Sequence, residues 1–481
     1  MQMTKTSLDV ALEMTDEERR RLLKRSEELA GDFLASIGDR DVIARASREE
    51  LRGVLATPIP EHGEDPIEVI ESLAAQAPGG HMASTGPRFF GFVIGGALPV
   101  AIGVDWLTAA WDQNAGLFVL SPLTSVVEEV TGEWVIDLLG LPKESSVGFV
   151  TGCQMANFTG LAAARHGVLR KVGWNVEEQG LMGAPRIRVI VGGEAHVTIK
   201  VALRLLGLGS NTVEIAEADD QGRMRPEVLR RLFEEGDDLP TIVCAQLGNV
   251  DTGAFDPIEE ISSIAHDYGA WVHVDGAFGL WANASTTYRH LTRGAHRADS
   301  WATDAHKWLN VPQDSGIVIV KDSAAHRAAM TANAAYLQKS DGAERDEVDW
   351  VPDFSRRARV FPAYAVLRTL GRRGLEQLVD NCCDRTKQMV RILTQSPNVE
   401  SLCDVVLNQA LVRFVAEGRD PDELTRNVIR RIQEDGTSWF GGTTWQGKGA
   451  MRISSSNWMT TREDVERSAA AVLASLDAEL A

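Results

Sequence analysis

Cysteine is scarce in this sequence, unbroken apolar runs are missing and positive charge is outnumbered, and each shortage removes a class of function. The five cysteines are Cys153, Cys244, Cys382, Cys383 and Cys403. They follow neither a disulfide framework nor a metal-ligand spacing, which predicts reduced thiols and a cytoplasmic protein. Met1–Arg20 is polar and lacks the apolar core of a signal peptide. The most apolar run near it, Phe92–Leu107, is broken by glycines, Pro99 and Asp105, so no membrane span is expected. A formal net charge of −19 argues against a general basic surface for nucleic acid or anionic lipid. Neither the dinucleotide fingerprint G-x-G-x-x-G nor the P-loop pattern occurs. His266, His273, His290 and His296 fit no zinc spacing, and the hydrolase elbow G-x-S-x-G is absent.

What remains is an ordinary globular composition, 44% hydrophobic and 24% charged over 481 residues, enough chain for two or three subdomains. Residues from about 15 to 57 read as helices, opened by the capping pattern Thr15-Asp-Glu-Glu18. Asp65-Pro66 starts another helix. This arm carries too little apolar surface to fold alone, so it is expected to pack on a second subunit or on the main body. Pro99–Leu139 is helical in pattern, interrupted at Asn114-Ala-Gly116. Strands and helices then alternate, which predicts a mostly parallel sheet covered on both faces. Past Arg356-Arg357 a long helix, short strands near Ala410–Val415 and Met451–Ser454, and a last helix capped by Thr461 predict a smaller α+β unit.

The stretch from Trp271 to Gly316 organises the rest. Trp271-Val-His-Val-Asp275 is a short buried-strand pattern ending on a carboxylate. Ser300-Trp-Ala-Thr-Asp-Ala-His-Lys-Trp308 follows, and then the apolar strand Gly316–Val320. Alone, a strand-end Asp is a turn former and a His-Lys pair is solvated surface. Together they suit pyridoxal phosphate (PLP): Lys307 supplies an amine for the aldehyde, and Asp275 an anion for the ring nitrogen. Ala277, two residues beyond Asp275, lies on the same side of an extended strand and leaves room for a ring. Thr151-Gly152-Cys153-Gln154 opens a helix after a strand, which suits a phosphate. His196, alone an ordinary structural histidine, follows another strand and could stack on the ring. Asn249 and Thr252 could support Asp275 or the ring substituents. Gly86-Pro-Arg-Phe-Phe-Gly91 is either a packed connector or a wall of the substrate pocket, with Arg88, Phe89 and Phe90 as contacts. Arg88 or Arg356 could meet an acidic substrate side chain, whereas Phe89, Phe90, Phe92, Trp106 and Trp111 could line an aromatic one.

His196, Asn249 with Gly253-Ala-Phe-Asp-Pro257, His273-Val-Asp-Gly-Ala277 and Asp304-Ala-His-Lys-Trp308 together resemble the group II PLP-dependent amino-acid decarboxylases, which include the aromatic-L-amino-acid and glutamate decarboxylases. The resemblance runs from about Arg88 to the end. It implies the α/β fold of PLP enzymes of fold type I. That fold would have a helical arm over 1–85, a large cofactor domain over 86–360 and a small domain over 361–481. It also implies a homodimer with sites at the interface. Lys307 would carry the cofactor, Asp275 pair with the ring nitrogen and His196 stack on the ring. Gly152, Cys153, Gln154 and His306 would hold the phosphate, with Asn249, Ala277 and Asp304 beside them. Tyr336 in Ala335-Tyr-Leu337 stands where the family has a proton-donating tyrosine. The sequence departs from the named relatives at Asp304, where they usually carry Asn, at Gly276, a common Ala, and at Gly152-Cys153-Gln154, where they carry small Ser/Ala residues. The expected reaction is α-decarboxylation of an L-amino acid, with an aromatic one among the candidates, to its amine. The open alternatives are transamination with Arg452 as carboxylate ligand, another cleavage, oxidative decarboxylation, or a non-catalytic binding protein.

Overall fold

The computed structural model describes residues 14–332, 337–339 and 344–481. Its centre is a seven-stranded sheet in the order β1-β7-β6-β5-β4-β2-β3. The strands are Ser146–Val150, Arg188–Gly192, Glu214–Ala216, Thr241–Gln246, Trp271–Asp275, Ser300–Asp304 and Gly316–Val320, β1 to β7 in chain order. Only β7 runs against its neighbours; it pairs antiparallel with both β1 and β6. The expected mostly parallel sheet is therefore present.

Strand side chains alternate between faces, and here both faces are covered by helices. Val243, Ala245, Val272, Val274, Ile317 and Ile319 enter one core with the helices Ile258–Asp267 and Val360–Leu393. Ile242, Cys244, Trp271, Ala302, Val318 and Val320 enter a second core on the opposite face, against the helix Cys153–Lys171. That helix comes close because it presents glycines: a Cβ on Gly160 would stand 2.8 Å from the His273 ring, and one on Gly167 2.6 Å from Trp271. Trp271, His273 and Asp275 share this face, which brings the end of β5 under the first turn of the helix.

Sequence pattern did not show that Ser300–Asp304 is itself a strand. Lys307 thus follows β6 directly as well as preceding β7. A second sheet, β10-β11-β9-β8, is antiparallel and comprises Val399–Ser401, Gln409–Phe414, Gly441–Trp445 and Lys448–Ser454 as β8 to β11. Phe90 adds to it: its N–H donates to the Trp439 carbonyl, its carbonyl accepts from Ser454, and its ring stacks on Phe440 in this sheet's core. The capping boxes at Thr15 and Thr461 form as the sequence predicts. Among the described residues, no helix is long and apolar enough to cross a membrane.

Candidate active site

The parallel strands end on one side of the sheet, where α/β folds gather ligands. Asp275 closes β5 and is buried. Its Oδ1 accepts from the Ala277 N–H at 3.1 Å and the Cys153 thiol at 3.4 Å, and its Oδ2 accepts from Asn157 Nδ2 at 3.1 Å. Cys153 and Asn157 are four residues apart on the helix and so face the same carboxylate. Burial, then the Asp275 and Asp304 charges, push the Cys153 thiol well above its ordinary value, so it stays protonated and donates.

Behind Asp275 the chain of contacts continues. Asn157 Oδ1 lies 2.9 Å from His273 Nε2, and His273 Nδ1 lies 2.8 Å from Ser300 Oγ, which also accepts from Trp271 Nε1 at 2.9 Å. Burial pushes His273 down to about 4 despite the pull of Asp275, so it is neutral at pH 7. Sequence reading missed Asn157, His273 and Ser300. Their spacing was the available signal: His273 is two residues before Asp275 on one strand, and Asn157 is one helical turn beyond Cys153.

Lys307 stands at the other end of the site. Its Nζ is 3.2 Å from Asp304 Oδ2, while Asp304 Oδ1 accepts the Cys153 N–H at 2.6 Å and lies 3.6 Å from His306 Nε2. Burial opposes the Lys307 charge, but the Asp304 and Asp275 carboxylates outweigh it and hold the amine above its ordinary range. His306 is fixed by the Ser315 N–H on its Nδ1, and Gly316 packs on the Gly152 backbone. His196 caps the helix Val197–Leu205, with Nδ1 2.8 Å from Thr198 Oγ1. Burial lowers its proton affinity first; the Asp275 charge raises it and the Lys307 and Arg452 charges lower it further, so all three act on the imidazole.

Several expectations are corrected here. The Arg88 guanidinium is buried and donates to the carbonyls of Thr437, Gly38 and Arg40, so it ties the arm to the small domain and does not face a substrate. Phe90 is core, as described, and Phe89 is a buried ring stacked on Trp439. Arg356 pairs with Glu128 at 2.6 Å, donates to the carbonyls of Ala115 and Phe149, and is fully buried, so it does not face a ligand. Asn249 spends its Oδ1 on the Asp251 and Thr252 N–H groups and its Nδ2 on the Glu194 carbonyl. It shapes the turn beside His196 and does not reach Asp275. Gln154 is exposed, and Tyr336 lies outside the described residues.

The arrangement fits a pyridine aldehyde carrying a phosphate. Asp275, held by three donors, is an oriented anion for a ring nitrogen. Lys307 supplies the amine, and Gly152 leaves a gap that a Cβ would fill, 3.2 Å from the His306 ring. The buried Ser315 hydroxyl beside it has no protein partner among the described residues.

The sequence matches the pyridoxal-dependent decarboxylase conserved domain over residues 49–416. An aromatic-L-amino-acid decarboxylase of Bacillus atrophaeus is 25% identical over 464 residues, covering 94% of each chain. The acidic amino acid decarboxylase GADL1 of Bos taurus is 30% identical over 381 residues, 75% of this chain and 72% of that one. The crystal structure of Oryza sativa TDC with PLP and tryptamine superposes with a TM-score of 0.91 at 21% identity, covering 97% of this chain and 99% of that one.

Proposed function

This chain belongs to the pyridoxal-dependent decarboxylase family and decarboxylates an amino acid with PLP, and from that premise we propose that its substrate carries an aromatic side chain. The carrying observation is the state of the cations. Arg88 and Arg356, the groups that could have met an acidic side chain, are buried and turned toward backbone carbonyls and Glu128. Arg452 is held by Asp251 at 3.2 Å and the Val250 carbonyl at 2.7 Å. Meanwhile Phe92 is 63% exposed and stacks on Trp439, three residues before Gly95, which packs on the Lys307 carbonyl. An exposed aromatic side chain on the segment that packs on the Lys307 backbone favours a ring over a second carboxylate.

PLP supplies the electron sink when bound. Lys307 would hold it through its amine, and Asp275 would pair with its ring nitrogen. His196 would stack on the ring. Gly152, Cys153 and His306 would hold the phosphate with Asp304 beside them, and the small Ala277 side chain would leave room for the ring. Tyr336 or His196 would supply the proton that replaces the lost carboxylate. Retention of Lys307 beside Asp275 supports a catalyst over a binding protein.

The active form is a homodimer with the site completed across the interface. Trp106, Leu107 and Trp111 on the helix Pro99–Trp111, with Val119, Leu120, Leu123 and Val126 after it, leave a large apolar surface uncovered, as an interface would. The free, buried cysteines support a cytoplasmic setting. The test is a panel of L-amino acids with purified protein and PLP, scored for amine and carbon dioxide. Aromatic substrates should lead by at least about tenfold in kcat/KM, roughly 1.4 kcal/mol. Faster turnover of glutamate or aspartate would refute the substrate assignment.

A further inference from the structure

The Asp304 carboxylate is nearly fully buried, and its two oxygens do different work. Oδ1 takes the Cys153 N–H that opens the helix facing the phosphate end, and Oδ2 lies against Lys307 Nζ. The other titratable groups acting on Lys307 are the Cys153 thiol and the Asp275 carboxylate, and His306 faces Asp304 from the same loop. His196 feels the Lys307 charge in turn. Of these, Asp304 lies within ion-pair distance of the amine, at 3.2 Å.

We propose that Asp304 is a positioning residue that holds the Lys307 amine as an ammonium and occupies the helix N–H that an incoming phosphate would use. This deepens the PLP reading and rests on it. An anion so placed has two consequences. It slows any reaction that needs Lys307 as a free amine at neutral pH, and it sets a like charge against the phosphate.

Both consequences are measurable without turnover. In the full-length chain freed of cofactor, acetylation of Lys307 by an amine reagent is followed by peptide mass spectrometry and normalised to the exposed Lys143. Asp304→Asn keeps an oxygen for the Cys153 N–H but removes the charge. It should raise the relative acetylation rate at pH 8 by about tenfold, because the ammonium loses its paired anion. Asp304→Ala should do the same, and calorimetric melts check that both variants fold. Inorganic phosphate, used as the probe, should bind both variants about tenfold more tightly than the wild type, because a like charge beside it is gone. Unchanged or slower acetylation in both folded variants, or unchanged phosphate affinity, would overturn the proposal. PLP uptake by the wild type is read separately by absorbance. Uptake with unaltered acetylation sinks the Asp304 role alone, whereas no uptake sinks the PLP reading and this inference with it.

Discussion

Around Asp275 the buried polar groups are all partnered, whereas behind β1 several are not. The first cluster is the chain Asp275, Asn157, His273 and Ser300, each with hydrogen bonds of 2.8 to 3.1 Å. The second gathers Glu128, Arg345, Glu347 and Arg356. There Arg356 and Arg345 donate to the Phe149 and Val147 carbonyls of β1, the edge strand, and so cover a row of acceptors that would otherwise stand open. Glu128 Oε2 and both Glu347 oxygens have no well-formed partner among the described residues, and Arg345 lies 3.8 and 3.9 Å from the two carboxylates. A satisfied network fixes one geometry, which an electron-accepting site requires. A half-satisfied ionic cluster costs stability and is retained where it closes an edge.

The largest expected effect comes from breaking the second cluster. Arg356→Leu removes the hydrogen-bonded partner of the buried Glu128, leaving only Arg345 at 3.8 Å, and should lower stability by about 3–5 kcal/mol in denaturant melts. Activity per folded molecule should be nearly unchanged, which separates Arg356 from the substrate. Asp275→Asn should do the reverse, cutting kcat by about 10²–10³-fold with little change in Tm, as loss of an oriented charge does.

Smaller effects arise from pH, and here the clusters pull in opposite directions. The unfolded chain protonates His273 below about 6.5 while the fold resists to about 4, so stability falls as pH drops through that window. Burial and Glu128 push Glu347 up to about 7 from an ordinary value of 4.5; its contribution is complete at low pH and is lost as pH rises through that range. Glu347→Gln should therefore stabilise the protein above pH 7, by about 1–3 kcal/mol, the cost of one unsatisfied buried group. His273→Gln should flatten the acid side of the Tm profile instead. Matching slopes in both variants would mean the two clusters do not differ as described.

How far the sequence disclosed this site depended on distance along the chain. Asp275 and Lys307 were legible because a buried-strand pattern stops at each of their loops, and the helix caps were legible because Thr15 and Thr461 sit beside their own partners. β6 was not, because Ser300, Thr303 and Asp304 are polar residues in an interior strand, kept there by the site they serve. Arg88 and Arg356 read as candidate ligands because their partners, the Thr437 carbonyl and Glu128, lie hundreds of residues away. An arginine's fate is set by tertiary partners that local pattern does not encode. His273 was weighed only as a zinc ligand; alternation along β5 was enough to place it on the face of Asp275.

The central claim is that Lys307 is the amine that takes the cofactor while Asp275 and its network face the same ring. Borohydride reduction of the PLP-loaded protein, followed by peptide mass spectrometry, tests it directly. The pyridoxyl group should be found on Lys307 and be lost in Lys307→Ala. A stable adduct on another lysine, or none on wild-type protein saturated with PLP, would contradict it.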